Sequence, residues 1–530
     1  MQKRSAAGVV IYPVILGLVL GLGIYLGSRL APTPVVSADN KINSILDYIQ
    51  QEYVDTVNRQ ELTDHSIEKM LEQLDPHSAY IPAAELQAAN EPLEGNFEGI
   101  GIEFHIQDDS IMVVSVLSGG PSERVGLMPG DRIVKVNGKK VAGIHITGDQ
   151  VLKTLRGKGG SLVTVSVYRR GQNNLIDFKI IRGKIPINSI EFSYMPEPGI
   201  GYIKVSRFSA TTYDEFKEAL NGLKKQGLRS LILDLRGNPG GFLDAATNMA
   251  DEFLGGRKLV VYTQGKARPK TSYYTERDGL FEEGKLVVLI DEGSASAAEI
   301  VTGAIQDWDR GIVIGRRSFG KGLVQEQTTL PDGSALRLTI ARYYTPTGRS
   351  IQKPYSNGID AYEEEVMERY RHGEFNNKDS IHFADSLKYK TPAGRIVYGG
   401  GGIMPDIFVP IDTTFETVYL DKLFASGSVN QFAYDYTDQH RAELGKYIDA
   451  AMYIRDFKIT EGLVREFTAY AEKKGVPLNE KELSRSRAYL EVQLKAYIGR
   501  LLYQNKGLYP VLHSIDPVFR KALAQLKSAA

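Results

Sequence analysis

The spacing of apolar residues changes several times along the chain, and each change marks a different kind of structure. Residues 9–26 form a nearly continuous apolar run preceded by Lys3 and Arg4. Between 40 and 90 the pattern becomes amphipathic. Ile42, Ile45, Ile49 and Tyr53, then Ile67, Met70, Leu71 and Leu74, recur at helical spacing, and Asp75-Pro76 predicts the end of the second helix. From 95 to 185 glycines separate short β-branched runs at Ile111–Val116, Arg132–Val136 and Leu162–Tyr168, the pattern of a small β-rich domain. Residues 186–415 alternate buried strands with helices. Ser230–Leu235 precedes a helix over Phe242–Leu254, Leu286–Ile290 precedes one from Ser296 to Asp307, and Gly311–Gly315 is a third strand, which together predict βαβ crossovers. A polar stretch at 355–395 reads as an insertion. Beyond 415 the chain turns helical again, with Leu490, Leu494, Tyr497, Ile498 and Leu501 on one face, Asn479 and Glu482 as a start signal and Gly507 as a stop.

The expected fold class is multidomain α/β, divided as 1–38, 39–90, 91–185, 186–415 and 416–530. A length of 530 residues is too great for one core and fits three or four domains. Lys plus Arg and Asp plus Glu both total 64, so no global charge points to nucleic acid. With no cysteine, disulfides, a thiol nucleophile and Cys-ligated metal are excluded. The apolar run at 9–26 is roughly 18 residues, the lower limit for a membrane span and long for a signal peptide. Its basic flank predicts an exported chain on the periplasmic side of the inner membrane. Length favours a retained single-pass anchor over a cleaved signal, for which Val36-Ser37-Ala38 is only a loose match.

The segment "DEGSASAAEI" at 291–300 lies where a buried strand turns into a helix. A serine there is either the helix N-cap or a nucleophile exposed at the corner, beside backbone N–H groups able to hold an oxyanion. Spacing alone does not choose between Ser294 and Ser296. None of the 8 histidines falls in a triad motif, so a base must be sought elsewhere. Lysine serves if burial removes its proton, and Lys321, between Gly320 and Gly322, is one candidate, with Gln325 four residues on to hold the amine. "GNPGG" at 237–241 follows another buried strand. In a parallel sheet its corner and the 291–296 corner share the carboxyl-end crevice, where each can give an N–H to one oxyanion. A phosphate-binding turn is weakly supported, because no GxxxxGK[ST] is present.

Taken in order, "LDPHSAYI" (74–81), "FEGIGIEF" (97–104), "GLMPGDRIVKVNG" (126–138), "LRGNPGG" (235–241), "GSASAAEI" (293–300), "FGKGLVQ" (319–325), "YYTPTGRSIQ" (343–352) and "GGIMPDI" (401–407) resemble the carboxyl-terminal processing peptidases, S41 serine proteases with a Ser-Lys dyad and a PDZ domain. The resemblance covers residues 40 to about 410. It implies that Ser296, 25 positions before Lys321, is the nucleophile, Lys321 the base and Gln325 its orienter. It further implies an oxyanion hole from Ala297 and either Gly240 or Gly241. The β-rich segment becomes a PDZ domain whose Gly99-Ile100-Gly101-Ile102 loop takes a peptide carboxylate, with Ile100 and Ile102 lining the terminal pocket. Arg156, after the groove helix, is either a solvated surface charge or a substrate-sensing switch that bonds across the domain boundary, toward Gln325, only when a peptide is docked. The implied partners are polypeptide C-termini and the membrane, with a homo-oligomer left open and neither metal nor other cofactor. The alternative is a catalytically silent PDZ scaffold. An SxxK-type hydrolase is disfavoured, since Glu299 stands where that motif needs lysine.

Overall fold

The computed structural model describes residues 16–25, 41–117 and 119–528. The apolar segment 9–26 lies mostly outside them. Its described part, 16–25, is helical and exposed. Among the described residues no helix is long and apolar enough to cross a membrane.

The chain separates into two compact units, residues 1–73 and 74–530. In the first, helices Lys41–Glu52 and Arg59–Leu71 bury only Leu46 and Leu71, one each. Ile42, Ile45, Tyr53 and Met70 of the expected apolar faces are exposed. The second helix stops at Leu71, short of Leu74, which lies in the larger unit and is also exposed. The division between the two units thus falls inside the expected 39–90 segment. Residues 79–81 are a strand, and 83–94 a helix, of the larger unit.

The centre of that unit is a six-stranded sheet in the order Ile190–Glu197, Ile200–Val205, Ser230–Asp234, Lys285–Ile290, Ile312–Gly315, Ile407–Phe408. The first pair is antiparallel and the rest are parallel. The buried strands are apolar throughout because both faces are covered, each by alternate side chains. Leu231, Leu233, Val288 and Ile290 pack against helices Thr212–Lys225, Leu243–Asp251 and Ala297–Asp307. Ile232, Val287 and Leu289 meet Val518, Phe519, Ala522 and Leu526 on the other face. Helix Pro517–Ser528, expected in a separate C-terminal region, is thus a layer of the α/β core.

A second sheet joins Ala79–Ile81, Leu259–Gln264, Thr271–Tyr274 and Leu323–Thr329 to the long strand Ala335–Tyr344. The β-rich domain is as expected, with strands at Ser110–Val116, Arg132–Val136 and Leu162–Tyr168 and a Thr147–Gln150 capping box on helix Gly148–Leu155. Its two ends are tied by a ribbon that pairs Asn96–Gly99 with Gly183–Pro186. The polar stretch at 355–395 carries helix Ile359–Arg371, and its buried Arg369 donates to the carbonyls of Arg317 and Ser318.

Gly507 is not a helix stop. Helix Glu480–Tyr503 ends at Gln504, which takes φ 53°, and Gly507 lies inside the next helix, Asn505–Leu512. It has no side chain because it packs on Gly499: a Cβ at 507 would fall 2.1 Å from the Gly499 carbonyl oxygen. Gly507→Ala should therefore destabilise the chain by about 1–3 kcal/mol. Gly222→Ala, in a helix with nothing within 4 Å of the new methyl, should be neutral or stabilising. Thermal unfolding followed by circular dichroism compares the two, and equal midpoints would refute the close-packing account.

Candidate active site

Both strand-to-helix corners lie at the carboxyl end of the central sheet, and backbone bonds stitch them together. Ala295 N–H donates to the Asn238 carbonyl at 2.8 Å, and Gly237 N–H donates to Asp291 Oδ1 at 2.7 Å. Ser294 is fully buried. Its hydroxyl donates to the Leu235 carbonyl at 2.8 Å and accepts from Asp291 N–H at 3.0 Å. Ser294 therefore holds the corner and does not cap the helix. Ser296 stands at the N-cap position with φ 55° and ψ −115°, a conformation that a non-glycine residue adopts at a cost of about 1–3 kcal/mol. It is part-exposed.

The strained serine is held through Glu299. This carboxylate is wholly buried and accepts four hydrogen bonds: Ser296 N–H at 2.8 Å, Lys321 N–H at 2.9 Å, Gly320 N–H at 2.8 Å and the Ser318 hydroxyl. Burial pushes its pKa up to about 7, against the four donors, which favour the ionised form. Tyr343, also buried, lies 2.6 Å from the Lys321 carbonyl and 3.1 Å from that of Ser296, a second tie between the two loops. The sequence reading missed both residues. The signal for Glu299 was the S-x-x-E spacing from Ser296, a capping-box pattern; Tyr343 opens the YYTPTGRSIQ motif, but nothing in that motif ties it to the two loops.

Ser296, Lys321, Gln325, Gly240 and Gly241 line one cavity of about 450 Å³. Burial lowers the Lys321 amine below its ordinary pKa, the Arg337 charge adds to this, and Glu299 and Asp75 oppose it. Among the described residues Nζ of Lys321 makes no hydrogen bond, and Gln325 donates instead to Thr339 Oγ1 at 3.2 Å. His77, which feels the Lys321 charge, is driven down to about 4, chiefly by burial, and so is neutral at physiological pH. The two glycines differ. Gly240 is buried, and its N–H donates to Asn238 Oδ1 at 2.8 Å. Gly241 is exposed with φ 145°, and a Cβ there would fall 1.9 Å from the Phe208 carbonyl oxygen. Among the described residues the N–H groups of Gly241 and Ala297 have no acceptor.

Without a peptide on the β-rich domain, Arg156 is engaged away from Gln325. It donates to Glu91 Oε2 at 2.6 Å and stacks over Phe97, 4.7 Å from the ring centre, on the segment that leads into the β-rich domain. Ile100 is 2% exposed and belongs to that domain's core, against which the half-buried Ile102 packs. The Ile100 carbonyl accepts from the N–H and the hydroxyl of Ser122. Strand Ile102–Gln107 is an edge strand of its sheet.

Three family models match: Peptidase family S41 over residues 199–361, PDZ domain over 99–180, and a family of unknown function over 419–504. A CtpA-like serine protease of Staphylococcus aureus is 38% identical over 59% of this chain, which spans 62% of that relative's length. A carboxy-terminal-processing protease of Bartonella bacilliformis is 35% identical over 62% of this chain and 76% of its own. Among solved structures, the photosystem II D1 C-terminal processing protease is 26% identical over 70% of this chain and 87% of that one, with a TM-score of 0.37. At 35% identity across three quarters of the Bartonella protein, on a fold that carries both the PDZ and the peptidase segments, this chain belongs to peptidase family S41.

Proposed function

We propose that the chain is a serine endopeptidase that captures polypeptide C-termini on its PDZ domain and cleaves peptide bonds with Ser296 and Lys321. The observation that carries this reading is the single cavity lined by Ser296 and by an amine whose pKa burial has lowered. The neutral Lys321 amine takes the Ser296 hydroxyl proton as Oγ attacks the scissile carbonyl carbon. In this reading the oxyanion is held by the unpartnered N–H groups of Ala297 and Gly241 in preference to that of Gly240, which Asn238 Oδ1 engages. Collapse of the tetrahedral intermediate expels the amine, which takes the proton from Lys321. Water then repeats the sequence on the acyl-enzyme and frees Ser296. A peptide added to edge strand Ile102–Gln107 would present its terminal carboxylate to the Gly99–Ile102 loop. Export and tethering through residues 9–26 belong to the same reading.

The dyad is tested by three variants. Ser296→Ala and Lys321→Arg should both abolish hydrolysis, the second because a guanidinium keeps its proton. Ser294→Ala should retain cleavage but lose about 1–2 kcal/mol of stability, since it leaves the Leu235 carbonyl and the Asp291 N–H unpaired. An active Ser296→Ala enzyme sinks the assignment.

The pH dependence follows from two groups. Lys321 must be neutral to take a proton, and Glu299 must be ionised to accept all four donors, so both requirements are met as pH rises. Activity should fall as pH drops through about 7, where Glu299 takes up a proton. Glu299→Gln, which turns an amide N–H₂ toward existing donors, should lose activity at every pH. A kcat/KM profile with its maximum near pH 5 contradicts this.

Capture is read from a substrate with its C-terminus amidated, which should be cleaved more slowly than the free acid. Equal rates would remove the carboxylate from recognition. Tethering predicts that the full chain sediments with membranes while a chain beginning at Asp39 does not; identical fractionation refutes it.

A further inference from the structure

The motif "LDPHS" at 74–78 has no part in the reaction as proposed, yet it packs against the strand opposite Gln325. Strand Ala79–Ile81 pairs with Ala335–Tyr344 in the register Ala79 to Arg337, which brings residues 75–78 alongside Thr339. There the Ser78 hydroxyl accepts from Thr339 N–H at 3.1 Å. Thr339 is also the direct cross-strand partner of Gln325, at a register shift between Val324 and Gln325. A bulge of this kind re-aims side chains beside a site.

The hydrogen bonds here can run in only one direction. Asp75 is buried and accepts from His77 N–H, Ser78 N–H and the Ser78 hydroxyl at 2.6–2.9 Å. Burial pushes its pKa up, but the bonds from Ser78, His77 and Thr339 outweigh that and hold the carboxyl below its ordinary value. An ionised carboxylate only accepts, so the single proton of the Thr339 hydroxyl goes to Asp75 Oδ1, at 3.0 Å. The Thr339 Oγ1 is left with lone pairs alone, and it can bond only the N–H₂ end of the Gln325 amide, at 3.2 Å. The carbonyl end of the amide is thereby kept off Thr339, and Gln325 lines the same cavity as Lys321.

We propose that Asp75 and Thr339 are positioning residues for the Ser296–Lys321 site: they fix which way round the Gln325 amide stands, so that Oε1 is the atom offered to the Lys321 amine. Without that fixed polarity the amide is free to turn over, and its N–H₂ group can then face an amine that needs an acceptor. The inference rests on the proposed role of Gln325 and extends it to a segment remote in sequence.

The experiment is a double-mutant cycle in the full chain, with kcat and KM measured on one peptide. Thr339→Val removes the hydroxyl at nearly constant volume and should lower kcat on the order of tenfold, with KM unchanged. Thr339→Ser, which restores the hydroxyl, should recover the activity. In a Gln325→Ala background Thr339→Val should have no further effect. If Thr339→Val fails to fold, Asp75→Asn in the same cycle gives the same test, because a neutral amide no longer dictates the hydroxyl's direction. Additive losses, or a Thr339→Val enzyme with normal kcat, overturn the proposal. Full activity in Gln325→Ala alone would instead overturn the role of Gln325, so the two failures are distinguishable.

Discussion

Everything at the site depends on one buried carboxylate. Glu299 stands on the first turn of the helix that Ser296 begins, and it accepts from the backbone of both Ser296 and Lys321. A buried carboxylate without donors would shed its charge or disrupt the core. The convergence of their N–H groups on it therefore helps hold the stretches 294–299 and 318–321 together, beside Tyr343 and the bond from Phe319 N–H to the Ser294 carbonyl. The strain at Ser296 persists for the same reason, since its N–H is one of those donors. The sheet provides the corner, and the carboxylate fixes its conformation.

Around this point the insertion and the C-terminal helices act at a distance. Arg369, from the polar stretch, binds the carbonyls of Arg317 and Ser318, one turn of chain before Lys321. Burying an arginine to hold a loop is costly unless its donors are all used, and carboxylates from the same insertion help meet that condition: Glu374 pairs with both Arg369 and Arg317. The last helix closes the far face of the central sheet, so the strands that place the two corners are packed from both sides.

Much of this was legible in the sequence because it followed from period and punctuation. Strands Ser230–Asp234 and Lys285–Ile290, with the helices that follow them, match their apolar runs to within a few residues. What could not be read was pairing over long separations. Spacing left Ser294 and Ser296 equivalent; they differ in the structure because Leu235, far away in sequence, accepts the Ser294 proton. The partners of Arg156 in the absence of a peptide, Glu91 and Phe97, stand on a helix and a strand whose position no periodicity reveals. Gly507 carried the usual signal of a helix end, yet its missing side chain serves a helix contact. For the serine and the arginine the deciding partner is about sixty positions away, and for Gly507 it lies on the neighbouring helix.

The ribbon that joins Asn96–Gly99 to Gly183–Pro186 has a consequence for assembly. Closing a long loop costs chain entropy that grows only logarithmically with its length. Here the β-rich domain meets that cost itself: once folded, its two ends are already side by side. To the rest of the chain, more than eighty residues then count as a single hairpin, and the α/β core can form as though its sequence ran uninterrupted from residue 95 to residue 187.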